Sequence, residues 1–168
     1  DVLCVRRPRV RLVITGDELL PAGSQPQATR IVDSNSVVLR ALVSRDGGEH
    51  LPFEILPDDP DRIRAAMAAA DADVVLVSGG SSVGQEDHAP RLLAELGELG
   101  FHGVSMRPSS PAGVGRIGDR FVFLLPGNPV SCLCAYDFFA GPVIRALGGR
   151  SRSWPHRRVR VPLARKIA

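Results

Sequence analysis

Between Val10 and Leu147, short apolar, β-branched runs alternate with longer stretches of helical spacing, and this alternation constrains the fold more than any other feature. Val10–Thr15 and Asp73–Val77 read as strands; the second places Val74, Val75, Leu76 and Val77 side by side with no polar face, as in a strand buried on both sides. Asp33–Arg45 has helical spacing, with Val37, Val38, Leu42 and Val43 on one face, Asp33 or Ser34 as cap and Gly47-Gly48 as stop. His50–Leu56 is a predicted strand, and Pro60–Ala70 a helix with Asp59 as cap and Pro60 in its first turn. Asp87–Leu96 is a helix and Phe101–Met106 a strand. Ala112–Arg116 and Arg120–Leu125 flank Ile117-Gly118-Asp119 as a hairpin. Pro129–Leu147 is a long helix that Gly141-Pro142 should break or kink. The predicted class is therefore α/β, a three-layer α/β/α fold with a mostly parallel sheet and a β-hairpin.

At 168 residues the chain suits one α/β domain with its own core. Three cysteines are too few for a disulfide framework and favour a reducing, cytoplasmic setting. No apolar run in the sequence approaches the roughly 18 residues of a bilayer span, so no membrane partner is expected. The net charge of +3 suggests nucleic acid until it is divided: residues 1–11 contribute +3 and residues 150–168 contribute +7, which leaves −7 on the body between them. A nucleic-acid domain carries its basic stripe on the folded body, so nucleic acid is not an expected partner. We read residues 1–8 as the end of a preceding domain or linker, 9–149 as the domain proper, and 150–168 as a linker followed by the first strand of another domain. In that last segment Arg157-Arg158-Val159-Arg160-Val161 alternates like a strand, and Trp154 is expected to pack on the neighbouring domain.

In a mostly parallel sheet, ligands sit beyond the carboxyl ends of the strands. Four loops fall at that edge. Thr15-Gly16-Asp17-Glu18-Leu19 brings two carboxylates, and Pro57-Asp58-Asp59-Pro60 two more, one of which caps the following helix. Ser78-Gly79-Gly80-Ser81-Ser82-Val83-Gly84-Gln85-Glu86-Asp87 combines three glycines with three serines, a loop whose backbone N–H groups and hydroxyls suit an anion such as phosphate, although it matches neither the P-loop nor the dinucleotide fingerprint. Leu125-Pro126-Gly127-Asn128-Pro129-Val130-Ser131 feeds a helix, where Asn128 can cap and free N–H groups favour an anion. Acids beside anion-binding loops are reconciled by a divalent cation such as Mg²⁺, which bridges one or two carboxylates and substrate phosphates. Asp17, Glu18, Asp58 and Asp87 are the candidate ligands. Cys132 and Cys134 read as core residues.

Thr15-Gly16-Asp17-Glu18-Leu19, Ser78-Gly79-Gly80-Ser81-Ser82-Val83-Gly84 with Asp87, and Leu125-Pro126-Gly127-Asn128-Pro129-Val130-Ser131, in that order, resemble the central domain of the molybdopterin molybdenumtransferases, the MoeA-type enzymes and the gephyrin E domain. Asp33-Ser34-Asn35 and Pro57-Asp58-Asp59-Pro60 fit the same pattern, and the resemblance spans roughly residues 8–148. It implies a molybdopterin-binding-domain-like fold and a homodimeric protein that takes adenylylated molybdopterin and molybdate, cleaves the adenylate with a divalent cation, and releases molybdenum cofactor and AMP. A molybdopterin adenylyltransferase is an implied partner. By motif position the resemblance implies Glu18, Asp58 and Asp87 as functional acids; Arg107, in a segment that departs from the motif, keeps a positive charge that can anchor phosphate or molybdate. Thr15, Gly16, Ser78, Gly79, Gly80, Ser81, Ser82, Gly84, Pro126, Gly127, Asn128, Pro129 and Ser131 are the implied substrate contacts. One segment departs from the family pattern. A Lys-Pro-Gly-Lys-Pro stretch is replaced by Arg107-Pro108-Ser109-Ser110-Pro111, the further lysine before it falls near Gly103, and the only lysine in the chain is Lys166. That departure keeps two alternatives open: a non-catalytic pterin- or nucleotide-binding module, and a hydrolase of nucleotide pyrophosphates.

Overall fold

The structure is a computed structural model that describes residues 1–27, 29–79, 88–162 and 164–165. Its centre is a seven-stranded sheet. The strands are β1 (Arg9–Thr15), β4 (Glu49–His50), β5 (Ile55–Leu56), β6 (Val74–Ser78), β7 (Glu98–His102), β8 (Gly113–Ile117) and β9 (Arg120–Leu125), while β2 (Leu19–Leu20) and β3 (Ile31–Val32) form a separate parallel pair. The order is β4-β1-β6-β9-β8-β7, with β5 also beside β1. Pairing is parallel from β4 through β9 and antiparallel across β9-β8-β7. Alternate side chains feed two cores. Leu12, Ile14, Leu76 and Phe123 meet Leu39, Val43, Tyr136 and Ile144 on one face. Val13, Val75, Val77 and Val122 meet Ile63, Met67, Leu92 and Leu93 on the other. All five residues of β6 are buried, as its unbroken apolar run requires. The mostly parallel three-layer α/β/α architecture with a hairpin is the one the sequence predicts.

The helices begin and end on local chemistry. In α1 (Asn35–Arg45) the cap is Asp33, whose Oδ1 accepts from the Ser36 N–H at 3.1 Å; Ser34 makes no side-chain cap bond. Its end is a Schellman turn, with Gly47 N–H to the Ser44 carbonyl at 3.1 Å and Gly48 N–H to the Val43 carbonyl at 2.9 Å. In α2 (Pro60–Ala68) Asp59 accepts from Asp61 N–H and Arg62 N–H. The β8–β9 turn puts Gly118 at φ 59°, the positive φ that a two-residue II′ hairpin asks of its first turn residue. Helix α3 runs His88–Leu96.

Four local expectations change. The predicted His50–Leu56 strand is two short strands, β4 and β5, because Pro52 lies between them and has no N–H for the ladder. The strand predicted at Phe101–Met106 is β7, three residues earlier; Val104 N–H instead turns to the Ser110 carbonyl at 2.8 Å, and Met106 N–H to that of Val104. The helix Pro129–Leu147 does not break. It runs as α4 (Pro129–Ala135), a π turn (Tyr136–Ala140) and α5 (Gly141–Leu147). Gly141 N–H reaches back five residues to the Tyr136 carbonyl, a π step directly before Pro142, which has no N–H of its own to give. Contrary to the reading of the apolar runs, this helix has the length and mean hydropathy (1.4) of a membrane span; it is nonetheless 44% buried and lays Cys132, Ala135, Tyr136, Ala140 and Ile144 against the sheet.

The basic ends touch the body. Arg6 makes a two-pronged pair with Asp73 at 2.6 and 2.7 Å, and Arg7 donates to the Gly47 and Gly48 carbonyls. Trp154 packs on Phe138, ring centroids 4.9 Å apart, and His156 meets Asp137 at 3.0 Å. Residues 157–162 form no strand. Beyond the amino ends of the strands, Asp46 is held by Arg45 at 2.9 Å and Arg145 at 2.7 Å, and Arg45 also reaches Asp137 at 2.6 Å.

Candidate functional site

The register brings three strand ends to one line: Ser78 at the end of β6 stands opposite Ile14 of β1 and Leu125 of β9. A cleft of about 320 Å³ opens just beyond them, lined by Thr15, Glu18, Leu19, Ile31, Val32, Asp33, Ser34, Asn35, Ser78, Gly79, Gly127, Asn128 and Pro129. Its volume falls in the range of small-molecule sites, about 300–1,000 Å³.

Asn35 ties the cleft together. Its amide N–H₂ donates to Ser78 Oγ at 2.9 Å and to the Gly127 carbonyl at 2.8 Å, so one side chain from the start of α1 links the loops after β6 and β9. Gly79 closes against β1: its φ is 100°, and a Cβ there would strike the Thr15 carbonyl and lie 2.8 Å from Thr15 Oγ1. Behind Ser78 lies Cys132 Sγ at 3.8 Å. Burial pushes the Cys132 thiol up to about 12, so it stays protonated and is no nucleophile.

The four acids expected at the site divide. Glu18 lines the cleft, with its carboxylate lying back over Gly16. Asp17 lines a second pocket of about 580 Å³ together with Arg30, Arg40, Phe53 and Pro57. Asp17 and Asp58 clasp each other: each backbone N–H donates to the other's carboxylate at 3.3 Å, which joins the loops after β1 and β5. Among the described residues no group of three or more His, Cys, Asp or Glu is arranged to hold a metal ion. Asp87, with Gly80, Ser81, Ser82 and Gly84, lies outside the described residues.

Of the remaining expected contacts, Thr15, Ser78, Gly79, Gly127, Asn128 and Pro129 line the cleft, whereas Gly16, Pro126 and Ser131 do not. Asn128 Oδ1 accepts from Val130 N–H at 3.2 Å and Ser131 N–H at 3.3 Å, so the N–H groups expected to be free for an anion are taken by the cap. Arg107 is exposed and does not line the cleft. Its loop is pinned two residues on, where Ser109, 3% exposed, donates through Oγ to the Ser131 carbonyl at 2.7 Å. Asn35 belongs to the Asp33-Ser34-Asn35 triplet that fits the family pattern, but the sequence assigned it no role in the site. Its signal was an Asn in a polar triplet at a helix start, where capping is the ordinary reading.

Residues 11–146 match the family described as a probable molybdopterin binding domain. The chain belongs to this family. Among curated relatives, the molybdopterin-binding domain is 41% identical over 160 residues to a molybdopterin molybdenumtransferase of Nostoc sp., covering 92% of this chain and 37% of that protein. It is 33% identical over 161 residues to one of Haemophilus influenzae, covering 93% of this chain and 40% of that protein. The chain thus spans about two fifths of the length of these relatives. Among solved structures it resembles the molybdopterin biosynthesis MoeA protein of Pyrococcus horikoshii, with a TM-score of 0.75 at 32% identity over 86% of this chain and 36% of that one. The MoaB protein of Thermus thermophilus shares the fold, at a TM-score of 0.64 and 19% identity over 87% of this chain and 99% of that one.

Proposed function

We propose that this molybdopterin-binding domain serves molybdenum cofactor biosynthesis as the substrate-binding part of a molybdopterin molybdenumtransferase. Adenylylated molybdopterin enters the cleft at the ends of β1, β6 and β9; molybdate supplies the metal; AMP and the molybdenum cofactor leave. The observation that carries this reading is the cleft itself, built by Asn35 from the motif loops of a family to which the chain belongs. Glu18 at the cleft, the Asp17–Asp58 clasp and Asp87 are the carboxylates offered to a cation. Two carboxylates and the substrate phosphates are a donor set of the kind Mg²⁺ takes, and the ion would polarise the phosphoryl oxygens of the adenylate. The full-length protein is read as a cytoplasmic homodimer supplied with adenylylated substrate by an adenylyltransferase.

One observation favours a second reading. With Arg107 outside the cleft and no lysine other than Lys166 in the chain, the described lining of the cleft offers no cation to an oxyanion, as in a binding module without turnover. Incubating the full-length protein with adenylyl-molybdopterin, Mg²⁺ and molybdate separates the two. Release of AMP together with cofactor is the expected result, reduced at least tenfold by Glu18→Gln; substrate binding without AMP release selects the binding module.

A further inference from the structure

The substrates proposed above carry oxyanions, and the described lining of the cleft holds no cation to receive them. The cations stand next door. The pocket of about 580 Å³ shares Leu19 of β2 and Asp33, the residue after β3, with the cleft, so the two adjoin. Arg30 and Arg40 line this pocket. Arg40 stands on α1 one turn after Ser36, which lines the pocket from the same helix face. Arg30 directly precedes β3, and its Nη2 donates to the Leu19 carbonyl at 2.7 Å.

Their pairing sets these two side chains apart. Arg45, Arg62, Arg64 and Arg145 of the same domain are all ion-paired, whereas neither Arg30 nor Arg40 makes an ion pair among the described residues. Arg40 Nε lies 3.5 Å from His50 Nε2, a contact with no carboxylate in it. A guanidinium carries five N–H donors, so most of those on Arg30 and Arg40 remain available. The carboxylates on the same walls are already engaged. Glu54 pairs with Arg62 at 3.0 Å, and one Asp33 oxygen caps α1. Asp17 is clasped with Asp58, and a divalent cation held by that clasp would bridge to an oxyanion. We propose that Arg30 and Arg40 together bind a tetrahedral oxyanion in this pocket, beside the Asp17–Asp58 clasp. Guanidinium forks match the oxygen edges of such an anion, and two of them on different elements supply charge and direction together. The anion has two sources, molybdate itself or the phosphate of a ligand that extends from the cleft past Leu19. This assignment rests on the function proposed above for the identity of its anions, and adds the side chains that hold them.

The test is calorimetric titration of the 168-residue chain with sodium molybdate and, separately, with AMP, both in the presence of Mg²⁺ at low salt. At least one of the two is expected to bind. Arg30→Gln and Arg40→Gln should each weaken that binding at least tenfold while the circular dichroism stays that of the unmodified chain, because both side chains are exposed. Arg91→Gln, exposed on α3 and outside the pocket, controls for the loss of one positive charge and should leave the affinity unchanged. Loss of molybdate affinity alone makes the metal's oxyanion the occupant, loss of AMP affinity alone makes it a ligand phosphate, and loss of both supports a pocket open to either. Binding of neither anion, binding indifferent to Arg30 and Arg40, or an equal loss in Arg91→Gln overturns the proposal. AMP release by the full-length protein that survives both pocket substitutions leaves the proposed function standing without this site. Anion binding that depends on both arginines, in a protein that releases no AMP, leaves the site standing without that function.

Discussion

At Gly79 the chain leaves β6 with φ at 100°, and there is no room for a Cβ against the Thr15 carbonyl. A side chain at this position pays twice, in backbone conformation and in contact, and strained positions of this kind cost about 1–3 kcal/mol. Gly79→Ala is therefore expected to lower the melting temperature by several degrees and to push position 79 away from Thr15, read as a lower denaturation midpoint and a weakened ligand affinity. Asn35 shows why a site resists sequence reading. Its two acceptors, Ser78 Oγ and the Gly127 carbonyl, are 43 and 92 residues away along the chain. No spacing rule connects positions so far apart; only the register of β1, β6 and β9 does. Glu18, Thr15 and Ser78 were legible because each adjoins a strand end, whereas the divergence of Asp17 from its neighbour Glu18 follows from the clasp with Asp58.

The elements themselves were easier to read than their edges. Strong periodicity and caps gave β1, α1, α2, β6 and the hairpin close to their observed bounds. Errors fell where the signal is physically thin. Strand β7 lies at the end of the sheet, Gly100 and a register shift separate its apolar residues Leu99 and Phe101, and Phe101 remains 39% exposed, so hydrophobicity could not place it. At Gly141-Pro142 the long helix continues as α5 after a π turn, a local irregularity that leaves no mark in composition. Caps offer a direct check. Asp59→Ala should cost about 1 kcal/mol in urea unfolding, since its carboxylate accepts from two N–H groups at the start of α2. Asn128→Ala should cost a similar amount and also weaken ligand binding, because Asn128 lines the cleft as well as capping α4. An Asp59→Ala variant with impaired binding and unchanged stability contradicts this division.

Across the whole molecule, the edge that carries the cleft is opposed by an edge held by ions. Burial alone pushes the Asp46 carboxyl up, but the hydrogen bonds and charges of Arg45 and Arg145 outweigh it and hold it below its ordinary value. Asp73 is lowered by its hydrogen bond to Arg6, and Asp71 by that to Arg11. Groups whose folded pKa is depressed contribute stability at all pH values above the unfolded pKa, about 3.9 for Asp, and lose it as pH falls through the folded value. The urea midpoint is thus expected to be flat from neutral pH to about pH 5 and to drop below about pH 4. Asp46→Asn should cost about 3–5 kcal/mol at neutral pH by leaving Arg145 buried without a countercharge, and should make the acid limb shallower. An unchanged acid limb in that variant contradicts the assignment. The acidic body and the basic ends are visible in the sequence; that the ends fold back onto the body, through Arg6 and Trp154, depended on distant partners.

Trp154 is the only tryptophan in the chain. It rests on Phe138, roughly halfway along a helix whose first turn borders the cleft. At about 1.5 Å per residue the indole samples a point some 15 Å along that helix from Asn128. The fluorescence of the protein is therefore a single-site optical signal. Its red shift marks the departure of the basic segment from the helix, and comparison with the far-ultraviolet circular dichroism of the sheet and helices tells whether that segment leaves before the domain unfolds or with it.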